Sequence, residues 1–396
     1  MKRSFLAWLV VGQAALLSQS LTGIWDATVV SGGVTVPFKL ELASDGVGAQ
    51  AWFFNGRERT PSTSGRFERG ALALEFAQLG TRLEATWKDG KLDGTYHGSR
   101  RTGDLKFHAE PASAKPAAAL DAPAIGGEWE LNQIRSGKGE AAWRFLVTQT
   151  GAEVTATILR VDGDTGALAG SYRNGKFVLS HFSGARQAVL EIVPSTDGTL
   201  ALTMNGTTKY TAVRPARARA EGLPSPTDPE LHTSVQNPSE QFRFSFQDLN
   251  GKLVSNTDDR FKNKVVLVSL LGSWCPNCHD EASYLAELYR TYRSKGLEMV
   301  GLAFEEEDQL ADPARLRAYV KSYGIDYPML LCGIPDDASS RLPQLKNFNA
   351  WPTILILGRD GKFRQSHAGF PSEGSGAVYA ETKQEITASV ERWLGE

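Results

Sequence analysis

The sequence Trp-Cys-Pro-Asn-Cys at residues 274–278 most constrains what this chain can fold into. It stands between an apolar run, Val265 to Leu271, and a segment whose apolar residues have helical spacing. The pattern predicts a strand that delivers Cys275 to a helix N-terminus, where unpaired N–H groups and the helix dipole favour a thiolate. Cys278 would lie one turn inside the helix, close enough to form a disulfide with Cys275. We therefore expect a redox-active dithiol with Cys275 as its exposed nucleophile.

A zinc site is the main alternative use of a Cys-x-x-Cys pair. Such a site needs two further ligands, and the chain has only one other cysteine, Cys332, while His279 is expected on the opposing side of the turn. Cys332 follows an apolar run, which is typical of a buried and inert thiol. No metal site is predicted.

Residues 242–396 alternate strand and helix signals in an order that predicts one small α/β sheet. The predicted strands are Phe242 to Leu249, Lys252 to Ser255, Val265 to Leu271, Leu297 to Phe304, Tyr327 to Leu331, Thr353 to Leu357 and Lys362 to His367. The predicted helices run from the cysteine motif to Gly296, from Asp312-Pro313 to Gly324, and from Ala377 to Leu394.

Trp351-Pro352-Thr353 begins one of these strands, and Asp360-Gly361 turns the chain into the next. Together with the dithiol and the helix inserted before the Tyr-Pro strand, these motifs resemble the thioredoxin superfamily, specifically its TlpA/ResA-like periplasmic thiol–disulfide oxidoreductases. The resemblance covers roughly the last 155 residues. It implies that Pro352 is cis and lies against the cysteines, and that Trp351 presents its backbone to a substrate strand. Trp274, Pro276 and Thr353 complete the substrate-binding surface that we expect.

The proton acceptor for the buried thiol departs from the thioredoxin pattern. Thioredoxin has an aspartate six residues before the first cysteine, where this chain has Ser269. ResA-like proteins use a glutamate at the end of the strand after the first helix, and Glu305-Glu306-Glu307 follows Phe304 there. The resemblance therefore implies Glu306, or else Glu305, as the catalytic acceptor of the Cys278 proton. The alternative is a solvated acidic loop.

The first twenty residues carry an export signal. Met1-Lys2-Arg3 precedes a thirteen-residue apolar run, Phe5 to Leu17, and Ser18-Gln19-Ser20 offers small residues for cleavage. Residues 1–20 are thus predicted to be a signal peptide, with an uncleaved anchor as the alternative, and the mature protein is expected to be periplasmic or otherwise extracytoplasmic. The net charge of −2 gives no reason to expect a nucleic-acid partner.

The region between the signal peptide and the redox domain contains an internal duplication. Gly23-Ile24-Trp25 recurs as Gly127-Glu128-Trp129, Phe67-Glu68-Arg69-Gly70 as Tyr172-Arg173-Asn174-Gly175, and Pro111 as Pro215, with offsets of 104, 105 and 104 residues. Short alternating runs between Gly-rich turns predict an all-β meander, a barrel or sandwich, in each copy. The predicted domains are β repeats at 21–111 and 124–215, a proline-containing linker at 216–238 and a thioredoxin-like domain at 239–396.

The repeats carry no recognisable chemistry. Their histidines, at positions 97, 108 and 181, lack ligand spacing and are interpreted as ordinary strand or surface residues. Trp52-Phe53-Phe54 is either a ligand platform or, by the alternation of strand side chains, part of the barrel core.

The sequence therefore predicts an exported thiol–disulfide oxidoreductase that needs no cofactor, since the electrons reside in Cys275 and Cys278. The resemblance implies a reductase of periplasmic protein disulfides, with apocytochrome c as one client class and a membrane electron carrier as donor. Three alternatives stay open: a disulfide-forming oxidase, an envelope binding protein that uses its β repeats, and a copper chaperone with His367 as a distal ligand.

Overall fold

A computed structural model of the chain describes residues 21–45, 47–113, 121–132 and 134–396. The signal peptide predicted for residues 1–20 lies outside these described residues. A first β repeat, a second β repeat and an α/β domain follow one another along the chain. No helix in this part of the chain is long and apolar enough to cross a bilayer.

The first β repeat is one strongly curved antiparallel sheet. Its strands form because alternate side chains are apolar and face the core; Phe53 is buried, while Trp52 and Phe54 lie on the opposite, half-buried face. In the order β4-β3-β2-β1-β9-β8-β7-β6-β5, the described residues form nine strands. These are β1 (Gly23–Ser31), β2 (Val34–Ser44), β3 (Ala49–Asn55), β4 (Glu58–Pro61), β5 (Ser64–Glu68), β6 (Ala71–Phe76), β7 (Thr81–Lys88), β8 (Lys91–His97) and β9 (Asp104–Pro111).

The second β repeat closes on itself. Its strands are β10 (Gly127–Asn132), β11 (Ala142–Thr150), β12 (Glu153–Arg160), β13 (Gly163–Asp164), β14 (Leu168–Arg173), β15 (Lys176–Phe182), β16 (Gln187–Pro194), β17 (Leu200–Met204) and β18 (Thr208–Val213). Their order is β11-β10-β18-β17-β16-β15-β14-β12-β13, and β11 also pairs with β12. Within the described residues, this extra pairing makes an eight-stranded barrel that β13 extends.

The predicted duplication is partly confirmed. Strands β1–β9 and β10–β18 succeed one another in the same order, and each copy begins with a tryptophan whose indole N–H donates to the carbonyl four residues earlier, Trp25 to Leu21 and Trp129 to Ile125. The two copies differ in whether their sheet closes into a barrel. Strands β12 and β14 pair along four positions, whereas β3 and β5 meet only near the bridge between Gly48 and Arg66. One copy is therefore a closed barrel and the other an open, half-barrel sheet.

The connection between the second repeat and the α/β domain contains regular structure. It includes helix α1 (Pro215–Ala220), helix α2 (Pro229–His232) and strand β19 (Ser234–Val235). Prolines at the first turn of both helices fit positions where a backbone N–H has no helical partner.

The α/β domain is a mixed sheet with helices on both faces. Its strands are β20 (Ser245–Asp248), β21 (Leu253–Ser255), β22 (Val265–Leu271), β23 (Leu297–Phe304), β24 (Met329–Gly333), β25 (Leu345–Lys346), β26 (Thr353–Leu357) and β27 (Phe363–Ala368). Its helices are α3 (Pro276–Tyr292), α4 (Ala314–Tyr323), α5 (Ala338–Arg341) and α6 (Ala377–Leu394). The sheet order is β21-β20-β24-β23-β22-β26-β27, with β25 paired separately to β19.

The centre of this sheet positions the cysteines. Strand β22 lies between parallel β23 and antiparallel β26, and all seven of its residues are buried. The predicted strand at Phe242 to Leu249 is shorter than expected. Phe242 and Phe244 leave the ladder and pack into the core on one face of the sheet, so β20 begins only at Ser245.

Candidate active site

The dithiol lies where β22 ends and α3 begins. Gly272 turns the chain here, and a Cβ at this position would collide with the Trp274 indole and the Phe304 carbonyl. Trp274 donates its indole N–H to that same carbonyl at 2.8 Å. Cys275 is then the N-cap residue of α3, and Pro276 fills the first helical position. The predicted strand–dithiol–helix arrangement is present.

Both thiols of the pair are free and buried. Cys275 is 3% exposed and Cys278 is 0% exposed. Burial raises the pKa of Cys278 well above its ordinary value, and hydrogen bonding to Cys275 and the charge of Cys275 add to that effect. The expectation of an exposed Cys275 is therefore wrong, because Cys275 packs into the apolar cluster of its own domain that includes Leu271 and Phe370.

The loop before β26 faces the dithiol. The Trp351–Pro352 peptide bond is cis, and the Cys275 thiol donates to the Trp351 carbonyl with 3.4 Å between sulfur and oxygen. Thr353 is buried, and its hydroxyl donates to the Ala350 carbonyl at 2.8 Å. The Trp351 ring meets the Trp274 ring edge to face, with centroids 5.8 Å apart. The structure thus brings Trp274, Trp351 and Pro352 to the dithiol, while the Thr353 side chain is occupied within the loop.

Glu305 and Glu306 do not take the place that the sequence predicted for a proton acceptor. Glu305 is buried and accepts hydrogen bonds from the Ser273 amide and hydroxyl, each at 2.6 Å. Arg315 bridges the two carboxylates, at 3.0 Å to Glu305 and 2.8 Å to Glu306. Glu306 also contacts Arg101 of the first repeat at 3.1 Å. Both carboxylates therefore bind a guanidinium and brace the loop before Cys275, which corrects their assignment as bases for Cys278.

The residue that the sequence reasoning missed is Glu281. It lies three residues beyond Cys278 on α3 and is completely enclosed. The Ser269 hydroxyl donates to one carboxylate oxygen at 3.3 Å, and the other oxygen has no hydrogen-bond partner among the residues that the structure describes. Burial is the main cause that raises the pKa of Glu281 to about 8; the Ser269 hydrogen bond opposes this shift and the charge of Cys275 adds to it. The sequence feature that could have indicated Glu281 is its position one turn after Cys278, on the apolar face of α3.

His279 is held in a neutral form beside the dithiol. Its Nε2 donates to the Ser273 carbonyl at 2.9 Å, so Nδ1 accepts from the Tyr323 hydroxyl at 3.0 Å. Burial lowers the pKa of His279 to about 4. The Tyr319 hydroxyl donates to the Cys278 carbonyl at 2.8 Å. These contacts fix the first turn of α3 against α4.

The comparisons with known proteins match this part of the chain. The redoxin family model matches residues 236–380. The chain is similar to the thiol–disulfide oxidoreductase ResA of Bacillus thuringiensis subsp. konkukian (strain 97-27), with 30% identity over 126 residues that cover 32% of this chain and 66% of the relative. ResA of Bacillus subtilis (strain 168) is 27% identical over 129 residues, covering 33% and 65%. The C-terminal domain is ResA-like.

The C-terminal domain is thus similar to thiol–disulfide oxidoreductases. The chain spans just under two thirds of the length of these ResA relatives. A solved thioredoxin-family thiol:disulfide interchange protein from Chlorobium tepidum TLS is also similar, at 22% identity and a TM-score of 0.32, covering 41% of this chain and 99% of its own.

Both β repeats contact the ResA-like domain around its dithiol. The Arg101 guanidinium of the first repeat stacks on the Trp274 ring, 3.7 Å from its centroid. Arg186 of the second repeat donates to Asn277, between the two cysteines, at 2.5 Å and to Asp280 at 2.7 Å. A cavity of about 100 Å³ remains beside Pro276 and Trp274, also lined by Arg101 and His279. The repeats thus form part of the surroundings of the active site.

Proposed function

We propose that this protein is an exported thiol–disulfide oxidoreductase that reduces disulfides of extracytoplasmic proteins. The observation that carries the proposal is the geometry of Cys275, which caps α3 and lies 3.4 Å from the Trp351 carbonyl. A helix N-terminus stabilises the thiolate that attacks a disulfide. The backbone at Trp351 lies where a substrate chain would approach that sulfur.

The reaction needs only the two cysteines and a base. The Cys275 thiolate attacks one sulfur of the substrate disulfide, so that bond breaks, a mixed disulfide forms and the other substrate sulfur leaves as a thiolate. Cys278 then loses its proton and attacks the Cys275 sulfur. The Cys275–Cys278 disulfide forms, the second substrate thiolate leaves and two electrons have passed to the substrate. An external dithiol donor must reduce the enzyme again.

Glu281 is the proposed acceptor of the Cys278 proton. A carboxylate whose pKa is raised to about 8 is a stronger base than an ordinary carboxylate. It is a charge neighbour of Cys278, whose raised pKa has the Glu281 charge among its causes. The unpartnered carboxylate oxygen leaves a position at which a proton can be accepted.

Export, client and donor complete the proposal. Residues 1–20 would direct the chain across the membrane, as their charged and apolar segments suggest. Apocytochrome c, with its haem-attachment cysteines, is the proposed client class, and a membrane electron carrier is the proposed donor. A disulfide-forming oxidase would use the same residues with the opposite direction of electron flow.

The reduction potential of the dithiol distinguishes a disulfide reductase from a disulfide-forming oxidase. The purified full chain is equilibrated with glutathione and dithiothreitol buffers, and the dithiol fraction is counted by alkylation and mass measurement. A potential near −270 mV, about that of thioredoxin, supports a reductase, while one near −120 mV, about that of DsbA, supports an oxidase. The Cys275→Ser variant is the control and should show no dithiol–disulfide equilibrium.

A further inference from the structure

A short segment of the second β repeat leaves the barrel and lies against the ResA-like domain. It comprises Val161–Asp164, the turn between β12 and β13 with β13 itself, and is called the docking segment below. Val161 is buried with Ala350 and Ala368 in one small apolar cluster. Gly163 forms a parallel β-bridge with Phe370. The segment therefore joins the ResA-like domain through its backbone as well as through a side chain.

The backbone of the docking segment and the backbone of the ResA-like domain near Phe370 approach more closely than a Cβ atom at either contact position would allow. A Cβ on Gly163 would lie against the Phe370 carbonyl oxygen and 2.6 Å from the Asn277 side chain. A Cβ on Gly369 would lie against the Val161 carbonyl oxygen and 2.5 Å from Asp162. Both glycines also have positive φ, 115° and 72°. Glycine on each side of the contact permits this close docking.

The docking segment reaches the residues between the two cysteines. The Asp162 carbonyl accepts a hydrogen bond from the Asn277 side chain, which also binds Arg186. Asp164 is 0% exposed and accepts from the Ser372 amide and hydroxyl, each at 3.0 Å. The contact is thus apolar at Val161 and polar at Asp162 and Asp164.

This position is the one that a substrate chain would need. An extended chain that brings its disulfide to Cys275 must pass between the start of α3 and the Ala350–Trp351 backbone. The docking segment lies along that passage, with Asn277 on one side and Ala350 on the other. It thus lies beside the first turn of α3, at whose N-terminus the nucleophile Cys275 is 3% exposed.

We propose that the docking segment is an internal pseudosubstrate, which an extended stretch of a substrate protein displaces before its disulfide reaches Cys275. The inference rests on the proposed function and specifies its substrate class. Because Asp162 and Gly163 make their contacts through backbone groups, the incoming chain is recognised in part through its own N–H and C=O groups. Arg186 acts as a positioning residue that holds the segment closed.

Two variant pairs of the full chain test the proposal. Val161→Asp removes the apolar contact, and Val193→Asp makes the same change at a valine of the same repeat that is 44% exposed. Arg186→Ala removes the bonds to Asn277 and Asp280, and Arg173→Ala is its control at an exposed arginine. Labelling of Cys275 is followed with iodoacetamide and with a polymer-linked maleimide, and the labelled site is located by peptide mapping.

Val161→Asp and Arg186→Ala should each raise the ratio of maleimide to iodoacetamide labelling by about tenfold or more, while both controls keep the parent ratio. If the ratio of maleimide to iodoacetamide labelling is unchanged in both variants, the docking segment is not a pseudosubstrate. Cys332, which is buried in the core of the ResA-like domain, serves as an internal marker, because its labelling reports unfolding rather than release of the segment.

A second experiment leaves residues 161–164 and Arg186 unchanged, so its result does not depend on those variants. In Cys278→Ser, a peptide whose cysteine is activated as a thiopyridyl disulfide reacts with the Cys275 thiolate; the bond to thiopyridine breaks, thiopyridone leaves and the peptide stays on Cys275 as a mixed disulfide. Hydrogen exchange is then compared with and without the bound peptide. Exchange at residues 161–164 should increase in the complex; protection that stays unchanged would refute displacement. A separate assay tests the proposed function itself. If the parent reduces neither a protein disulfide nor a small aromatic disulfide, the protein is not a disulfide reductase, whatever the labelling and exchange results are.

Discussion

The Ser269 hydroxyl donates a hydrogen bond to the Glu281 carboxylate, with 3.3 Å between the oxygens. Ser269 stands at the position of the thioredoxin aspartate, so the carboxylate of this active site comes from the helix instead of the strand. The two residues are brought together because α3 packs its buried face on β22.

Replacing Glu281 with glutamine should slow the resolution of mixed disulfides. The amide cannot accept the Cys278 proton, and losing a positioned base typically reduces a rate by roughly 100-fold or more. Rapid-mixing measurement of mixed-disulfide decay near neutral pH tests this. Glu287→Gln, at an exposed position on the same helix, should match the parent. Equal decay in all three proteins would exclude Glu281 as the acceptor.

The same substitution should change how stability depends on pH. Burial raises the pKa of Glu281 from 4.5 to about 8, so the neutral carboxyl stabilises the folded domain fully below 4.5, and this contribution is lost as the pH rises to about 8. Glutamine carries no charge and avoids that loss. The stability of Glu281→Gln relative to the parent should increase by up to about 1.4 kcal/mol per pH unit across this interval. Denaturant-dependent labelling of Cys332 measures it, and a constant difference would contradict the buried charge.

The two cysteines should behave differently when each is replaced. Cys278→Ser keeps the nucleophile at the helix N-terminus but removes the resolving thiol, so mixed disulfides with substrate proteins should accumulate on Cys275. Cys275→Ser leaves only the fully buried Cys278 and should trap few. Gel shifts of the two variants under non-reducing conditions distinguish them. The reverse pattern would exchange the two roles.

Arg315 is predicted to be a structural requirement of the ResA-like domain. Its guanidinium binds Glu305, Glu306 and the Ser273 hydroxyl. Arg315→Ala would therefore leave the buried Glu305 carboxylate without a cation and Glu306 with Arg101 alone. The free energy of unfolding should fall by about 3–5 kcal/mol. Arg317→Ala, at an exposed position on α4, should change it little. A small effect of Arg315→Ala would mean that water or Arg101 replaces the missing cation.

Much of the ResA-like fold could be predicted from local patterns. Three predominantly apolar segments bounded by turn residues are strands with the predicted limits: Val265–Leu271, Leu297–Phe304 and Thr353–Leu357. Helix α6 likewise has the limits Ala377–Leu394 that its pattern predicts. In these segments the hydrophobic pattern and the local backbone preference agree, which is why sequence alone was sufficient.

The proton acceptor and the burial of Cys275 depend on packing that no local pattern records. An acidic run at a strand end suggested Glu305 and Glu306, but Arg315, which approaches from another helix, binds both. Arg186 and the docking segment, which contact Asn277 between the two cysteines, lie roughly ninety to one hundred and fifteen residues earlier in the chain. Such long-range contacts follow from how domains dock, and a sequence pattern within either domain does not contain them.

The duplication has a consequence for how the units are connected. The β3–β4 turn of the first repeat docks on the second repeat, where Asn55 exchanges two hydrogen bonds with Phe182. The docking segment is the corresponding turn of the second repeat, and it docks on the ResA-like domain. In each copy, the corresponding hairpin therefore contacts the unit that follows it in the chain. The two contacts are head-to-tail, because each joins two different surfaces. A further copy inserted between the two would keep this joint but would separate Arg101 of the first repeat from Trp274 and Glu306, so the number of copies also determines the surroundings of the dithiol.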